Sequence, residues 1–256
     1  MPTPVTDRLG SIGRWFFGVA VICSGVQQLF IQAFVRLVPK LPAWFPVPAL
    51  AACVVGVILI VIGAAIISGK FARPASMGFV ALLLLTLFVL YLPGVVSNPW
   101  AGFMWTNPCK TLALCGGAFI LAAYAPGRAN GVVQKLAQVA PFLLALFLVV
   151  CGVQHFIYAG FVDSMVPAWI PPNQRFWTIF AAIALIAGGI GILVPPTARL
   201  AAALSSLMIF LWIILLHIPR AAADFHNAGE TSAIFEALAL SGVALLLASR
   251  APRNRA

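Results

Sequence analysis

The sequence predicts an all-α membrane protein: eight transmembrane helices arranged as two parallel four-helix repeats, with both termini on the cytoplasmic side. Three observations carry that prediction. Hydrophobic residues make up 63% of the 256 residues and charged residues only 8%, against roughly 45–50% and 25% in soluble domains. Eight apolar segments approach the length of about 20 residues that crosses a bilayer. Short motifs also recur at a nearly constant offset along the chain. The same composition excludes disorder, and five cysteines are too few for a disulfide scaffold. The net charge of +10 is spread over scattered Lys and Arg, so no phosphate-binding stripe forms and nucleic acid is not an expected partner.

The first segment, Trp15 to Val35, follows Arg8 and Arg14. It is too long for the core of a secretory signal, and no small-residue cleavage site follows it. The second, Ala49 to Ser68, opens after Pro39, Pro42, Pro46 and Pro48 and closes at Gly69. The third, Met77 to Val96, lies between Pro74 and Asn98-Pro99. The fourth, Pro108 to Ala125, has Asn107 as its expected N-cap and Pro108 as its first helical residue. The fifth runs from Leu136 to Phe161, and the sixth from Phe176 to Leu193 between two Pro-Pro pairs. The seventh, Ala198 to Ile218, and the eighth, Ser232 to Ala248, complete the set. The fourth and eighth are short, so they either begin above the hydrocarbon or sit inside the bundle.

Ser24-Gly-Val-Gln-Gln28 matches Cys151-Gly-Val-Gln-His155, and Pro42-Ala-Trp-Phe-Pro46 matches Pro167-Ala-Trp-Ile-Pro171. Ala72-Arg73 aligns with Ala198-Arg199, Tyr91-Leu-Pro93 with His217-Ile-Pro219, and Thr111 to Ala118 with Ala237 to Ala244. Agreement between apolar helices alone is weak. The two polar-containing motifs in one register make the stronger case for a tandem duplication, residues 1–130 and 131–256. A unit of four helices crosses an even number of times, so its copies share one orientation.

The charges then sort by side. Arg8, Arg14, Lys70, Arg73, Arg128, Lys135, Arg199, Arg250, Arg253 and Arg255 fall on one side, and Arg36, Lys40, Lys110, Arg175 and Arg220 on the other. The richer side is expected to be cytoplasmic. The location this implies is a multi-pass protein of the inner membrane. Trp44, Trp100, Trp105, Trp169 and Trp177 gather at the opposite helix ends, where an interfacial aromatic belt forms.

The Gly-Val-Gln-His155 segment, the Pro-Ala-Trp-Ile-Pro171 loop and the Leu-His217-Ile-Pro-Arg220 helix end resemble the DoxX/DoxD-like membrane proteins. The resemblance is closer over 136–249 than over 15–125. Members of that family are typically single four-helix units, and the fused pair here departs from that pattern. Some relatives are membrane subunits of quinone-reducing oxidoreductases, so the resemblance implies a redox role and partner subunits but supplies no catalytic residues.

Ionisable groups inside a bilayer are costly and usually face the bundle interior. His155, His217, Arg220 and Glu236 are expected at one depth in the outer leaflet, with Asp224, His226 and Glu230 in the loop above. This set could bind a quinone, or place His155 and His217 on a haem b iron; zinc on His155, His217 and Glu236 is a weaker variant. The first half carries Gln28, Tyr91 and Lys110 at the matching positions, so at most one such site is expected per chain. A structural reading stands beside each residue. His155 could bond across helices, His217 could sit solvated at the interface, and Arg220 could contact head groups or Asp224. Glu236 could pair with Lys110, and Gln27 and Gln28 read as helix glue. No Cys-x-x-Cys, phosphate loop, dinucleotide fingerprint or nucleophile elbow is present.

The function expected is an integral subunit of a quinone-linked redox complex. The alternatives are a small-solute transporter and a non-catalytic anchoring subunit. Against transport, the sequence shows no pair of broken helices at matched positions, the usual pointer to a midplane site.

Overall fold

The computed structural model describes residues 8–35, 46–127 and 129–251. Asp7, Arg36, Lys40, Trp44, Arg128, Arg253 and Arg255, together with most of the Pro42 to Pro46 motif, lie outside the described residues. Among the described residues the long elements are all helices. In chain order they are α1 (Arg8–Ile31), α2 (Pro48–Ser68), α3 (Ala72–Ser97), α4 (Thr106–Tyr124), α5 (Gly131–Ile157), α6 (Gln174–Leu193), α7 (Ala198–Ala223) and α8 (Ala228–Arg250). Seven of these are long and apolar enough to cross a membrane. The other is α4, whose opening turns hold Thr106, Asn107 and Lys110.

Local chemistry sets the ends. Asn130, Asn173 and Asn227 accept from Val133, Phe176 and Gly229 N–H at the starts of α5, α6 and α8, as N-cap side chains do. Gly69, at φ 76°, closes α2 by donating to Ala65 O, the left-handed C-cap that glycine favours. Arg73 closes α4, with Nε donating to Ala122 O and Nη2 to Ala125 O and Gly127 O.

Among the boundaries that differ from those expected, three bear on the site. A short 3₁₀ turn, Gly102–Trp105, leads into α4, which begins at Thr106, before the expected Asn107 cap. α5 ends at Ile157, because Tyr158 leaves helical geometry before a short helix, Ala159–Met165. α7 runs past Ile218 to Ala223. It passes Pro219 because Ile213–His217 is wound as a π-helix. Proline lacks an N–H and crowds the carbonyl four residues back, and the wider turn makes room for it. α3 does the same at Leu87–Tyr91 before Pro93. The two π segments lie 126 positions apart. They are matched distortions within helices that run on continuously, not breaks.

Each helix packs on its neighbours in sequence, and α8 returns to pack on α1. The ring is pinched at its centre, where α4 meets α8. These two are the interior helices: 72% of the spanning window of α8 is buried, against 28–39% for the other candidate spans. The packing repeats between halves. α1 touches α2 and α8 as α5 touches α6 and α4, and α3 touches α4 as α7 touches α8.

The closest approaches repeat too. A Cβ on Gly25 would lie 2.5 Å from Gly56 O, and one on Gly63 would lie 2.6 Å from Gly18 O. In the second half, a Cβ on Gly152 would meet Ala182 O at 2.8 Å, and one on Gly189 would meet Ala145 O at 2.9 Å. Small residues bring helix backbones into contact where lipid offers no hydrophobic drive to associate.

One end of the bundle carries Arg8, Arg250 and the α2–α3, α4–α5 and α6–α7 connections; we call it the terminal end. The other, distal end carries Trp100 and Trp169, both exposed, and the α5–α6 and α7–α8 connections.

Candidate functional site

The four residues singled out in the sequence separate into three places. Glu236, on α8, pairs with Lys110 on α4, Oε1 to Nζ at 2.7 Å. Arg220, near the end of α7, holds Glu230 in the first turn of α8 as a bidentate pair, Nε donating to Oε2 at 3.0 Å and Nη2 to Oε1. His155 and His217 line a cavity. His226 stands apart, its ring tilted against that of the exposed Phe225.

The cavity has a volume of about 1210 Å³ and lies between α5, α6 and α7. On α6 its lining runs from Trp177 to Gly191, about 20 Å at the helical rise of 1.5 Å per residue. Aliphatic and aromatic side chains dominate the wall, with Ser205 and Thr197 toward the terminal end. Polar groups collect at the distal end, where α5 stops, α6 starts and α7 approaches its close. They are Thr106, Gln154, His155, Tyr158, Thr178 and His217. Phe180, Leu200, Leu204 and Leu207 line the cavity and are also exposed on the helix surfaces. In a bilayer that rim faces lipid, so the cavity opens sideways between α6 and α7.

Several of the distal groups are already committed. Gln154 accepts from Thr106 Oγ1 at 2.7 Å and donates through Nε2 to Gly102 O at 2.6 Å. Tyr158 Oη accepts from Phe103 N–H at 3.2 Å. Together they strap the turn before α4 to the end of α5. Gln27 makes the same strap in the other half, donating to Ala228 O at 2.8 Å and accepting from Ser232 Oγ at 2.7 Å.

His155 Nδ1 lies 2.7 Å from Cys151 O. A carbonyl can only accept, so Nδ1 carries the proton, and in the neutral ring Nε2 is an acceptor. The ring lies along the Trp212 indole, centroids 6.2 Å apart. The π segment of α7 ends at His217 and so sets its rotation toward the cavity. Sequence reasoning missed Thr178, Tyr158 and Gln154 as cavity residues. Gln154 stood inside the quoted repeat, but Thr178 is one hydroxyl in an apolar run and carries no sequence signal.

The first half departs from this arrangement at the matching place. Gln28, where His155 stands in the second half, is 2% exposed, and its amide makes no hydrogen bond among the described residues. No group of three or more His, Cys, Asp or Glu side chains among the described residues is placed to hold a metal ion.

Compared with known families, residues 10–92 match the DoxX family model. Residues 144–250 match the model of a domain of unknown function, DUF8561. The DoxX match thus falls on the half whose resemblance was expected to be the looser, and the stretch expected to be closer matches the other model. No curated protein and no solved structure matches the chain.

Proposed function

We propose that this DoxX-type membrane protein is a fused pair of four-helix units whose second half holds a lipid-soluble amphiphile of the quinone class, as an integral subunit of a membrane redox complex. The cavity carries this reading. It is long and apolar, opens toward lipid, and gathers most of its hydrogen-bonding groups at one end. A water-borne solute would find few partners along the wall, whereas an apolar chain with a polar ring at its tip matches both ends. His155, Thr178 and Tyr158 would hold the head, and His155 can take or give a proton there. Bound there, the quinone would supply the electron chemistry. Haem b would require the imidazoles of His155 and His217 to face each other across a porphyrin, whereas the His155 ring lies along Trp212.

The duplication rests on the repeated motifs together with the matched π segments, glycine crossings and glutamine straps. Each pair lies 126 or 127 positions apart. In this reading all eight helices cross, with α4 and α8 shielded from lipid. The sequence assigns ten Lys and Arg to the terminal end and five to the distal end, a bias that supports reading both termini as cytoplasmic, in an inner membrane.

A small-solute transporter is the second reading, favoured by the matched π distortions in α3 and α7. Protein purified from its native membrane in mild detergent, then analysed for extractable quinone and for its visible spectrum, decides between them. The expected result is about one quinone per chain. Quinone-free, colourless protein would overturn the proposal in favour of transport or a scaffold role, and a reducible Soret band would replace it with a haem electron carrier.

A further inference from the structure

Thr178 is 1% exposed, lines the cavity and has no hydrogen-bond partner for Oγ1 among the described residues. Helical hydroxyls normally solve this problem by bonding back to the carbonyl four residues earlier. Ser24, Thr86 and Ser232 all do so in this protein; Thr178 and the buried Ser76 do not, and of these two only Thr178 lines the cavity. A buried hydroxyl left in this state costs about 1–3 kcal/mol unless something entering the cavity bonds to it.

A second observation sets the character of that something. His155 Nδ1 donates to Cys151 O, which leaves Nε2 on the far side of the ring as an acceptor in the neutral side chain. Gln154 spends both ends of its amide on Thr106 and Gly102 and cannot take over that role. A ligand head that only accepts, such as a pair of ring carbonyls, would set an oxygen lone pair against the Nε2 lone pair. A head carrying ring hydroxyls would donate to Nε2 while its oxygens accept from Thr178 and Tyr158.

We infer that the cavity is selective for the reduced, dihydroxy form of its ligand, with His155 Nε2 as the acceptor that discriminates and Thr178 Oγ1 as the second anchor. This rests on the proposed quinone-class occupant and adds the redox state in which that occupant is held. The first half lacks both elements: Gln28, able to donate as well as accept, replaces His155, and Ala52 is the counterpart of Thr178.

The test is equilibrium binding of a decyl-substituted benzoquinol and the matching benzoquinone to the full chain in lipid nanodiscs, under anaerobic conditions. The reduced form is expected to bind about tenfold more tightly, a difference of one well-made hydrogen bond. His155→Gln, which installs the residue that the other half carries at that place, is expected to bring the two affinities within about twofold. Thr178→Val, nearly isosteric and so safe for folding, is expected to weaken the reduced form severalfold. Equal affinities in the wild-type protein, preference for the oxidised form, or a preference that survives both substitutions would overturn the inference while leaving a quinone site in place. Failure of both forms to bind the wild-type protein would remove the proposed function itself.

Discussion

Lys110 and Glu236 form a buried ion pair, Nζ to Oε1 at 2.7 Å with side chains 6% and 7% exposed, across the contact between α4 and α8. The two residues lie 126 positions apart, the same interval that separates the π segments. Desolvating both charges opposes their attraction, so the intact pair contributes little net stability, while either charge alone is strongly unfavourable.

Lys110→Met and Glu236→Gln are each expected to destabilise the protein by about 3–5 kcal/mol. The double variant is expected to recover most of that loss. Exchanging the two residues, Lys110→Glu with Glu236→Lys, should be tolerated better than either single change. Thermal unfolding in detergent measures all four, and additive single losses in the double variant would show that the charges act separately.

Gly63 and Gly78 make a matched comparison. A Cβ on Gly63 would lie 2.6 Å from the backbone oxygen of Gly18, which cannot swing aside, whereas one on Gly78 meets nothing within 4 Å. Gly63→Ala is expected to cost about 1–3 kcal/mol through overpacking of α1 on α2. Gly78→Ala is expected to be neutral or slightly stabilising, since alanine is the better helix former. Unfolding temperatures of the two variants compared with wild type check this directly.

Orientation is testable with single cysteines. Trp100 is 94% exposed at the distal end, and Phe71, between α2 and α3, is exposed at the terminal end. In intact cells, an impermeant thiol reagent is expected to label Trp100→Cys and to spare Phe71→Cys until the membrane is opened. Reversed labelling would turn the protein over.

The apolar spans were legible in the sequence because hydropathy reports directly on what lipid accepts, and turn chemistry at Gly69 and Pro171-Pro172 marked their ends. The passage of α7 through Pro219 was not, because proline normally stops a helix and nothing local announces the π turn that accommodates it. Glu236 could be matched to Lys110 by register, but which of its two readings holds depends on how closely α4 approaches α8, a tertiary fact. The candidate cluster was read as one site because its members share a depth. Depth fixes only one coordinate, and rotation of α7 and α8 sends Arg220 to Glu230 and Glu236 to Lys110. Thr178 and the cavity wall depend on the gap between α6 and α7, which no pattern of residues encodes.

On the reading of the chain as a fused pair, the Lys110–Glu236 contact also orders events in its history. Two identical units related by a two-fold axis bring a residue on that axis against its own copy, so lysine would face lysine and glutamate would face glutamate. Opposite charges can meet there only after the two copies differ in sequence. The pair is therefore younger than the duplication. Neither half could restore it by associating with a second copy of itself, and what began as self-association has become a dependence on the other half.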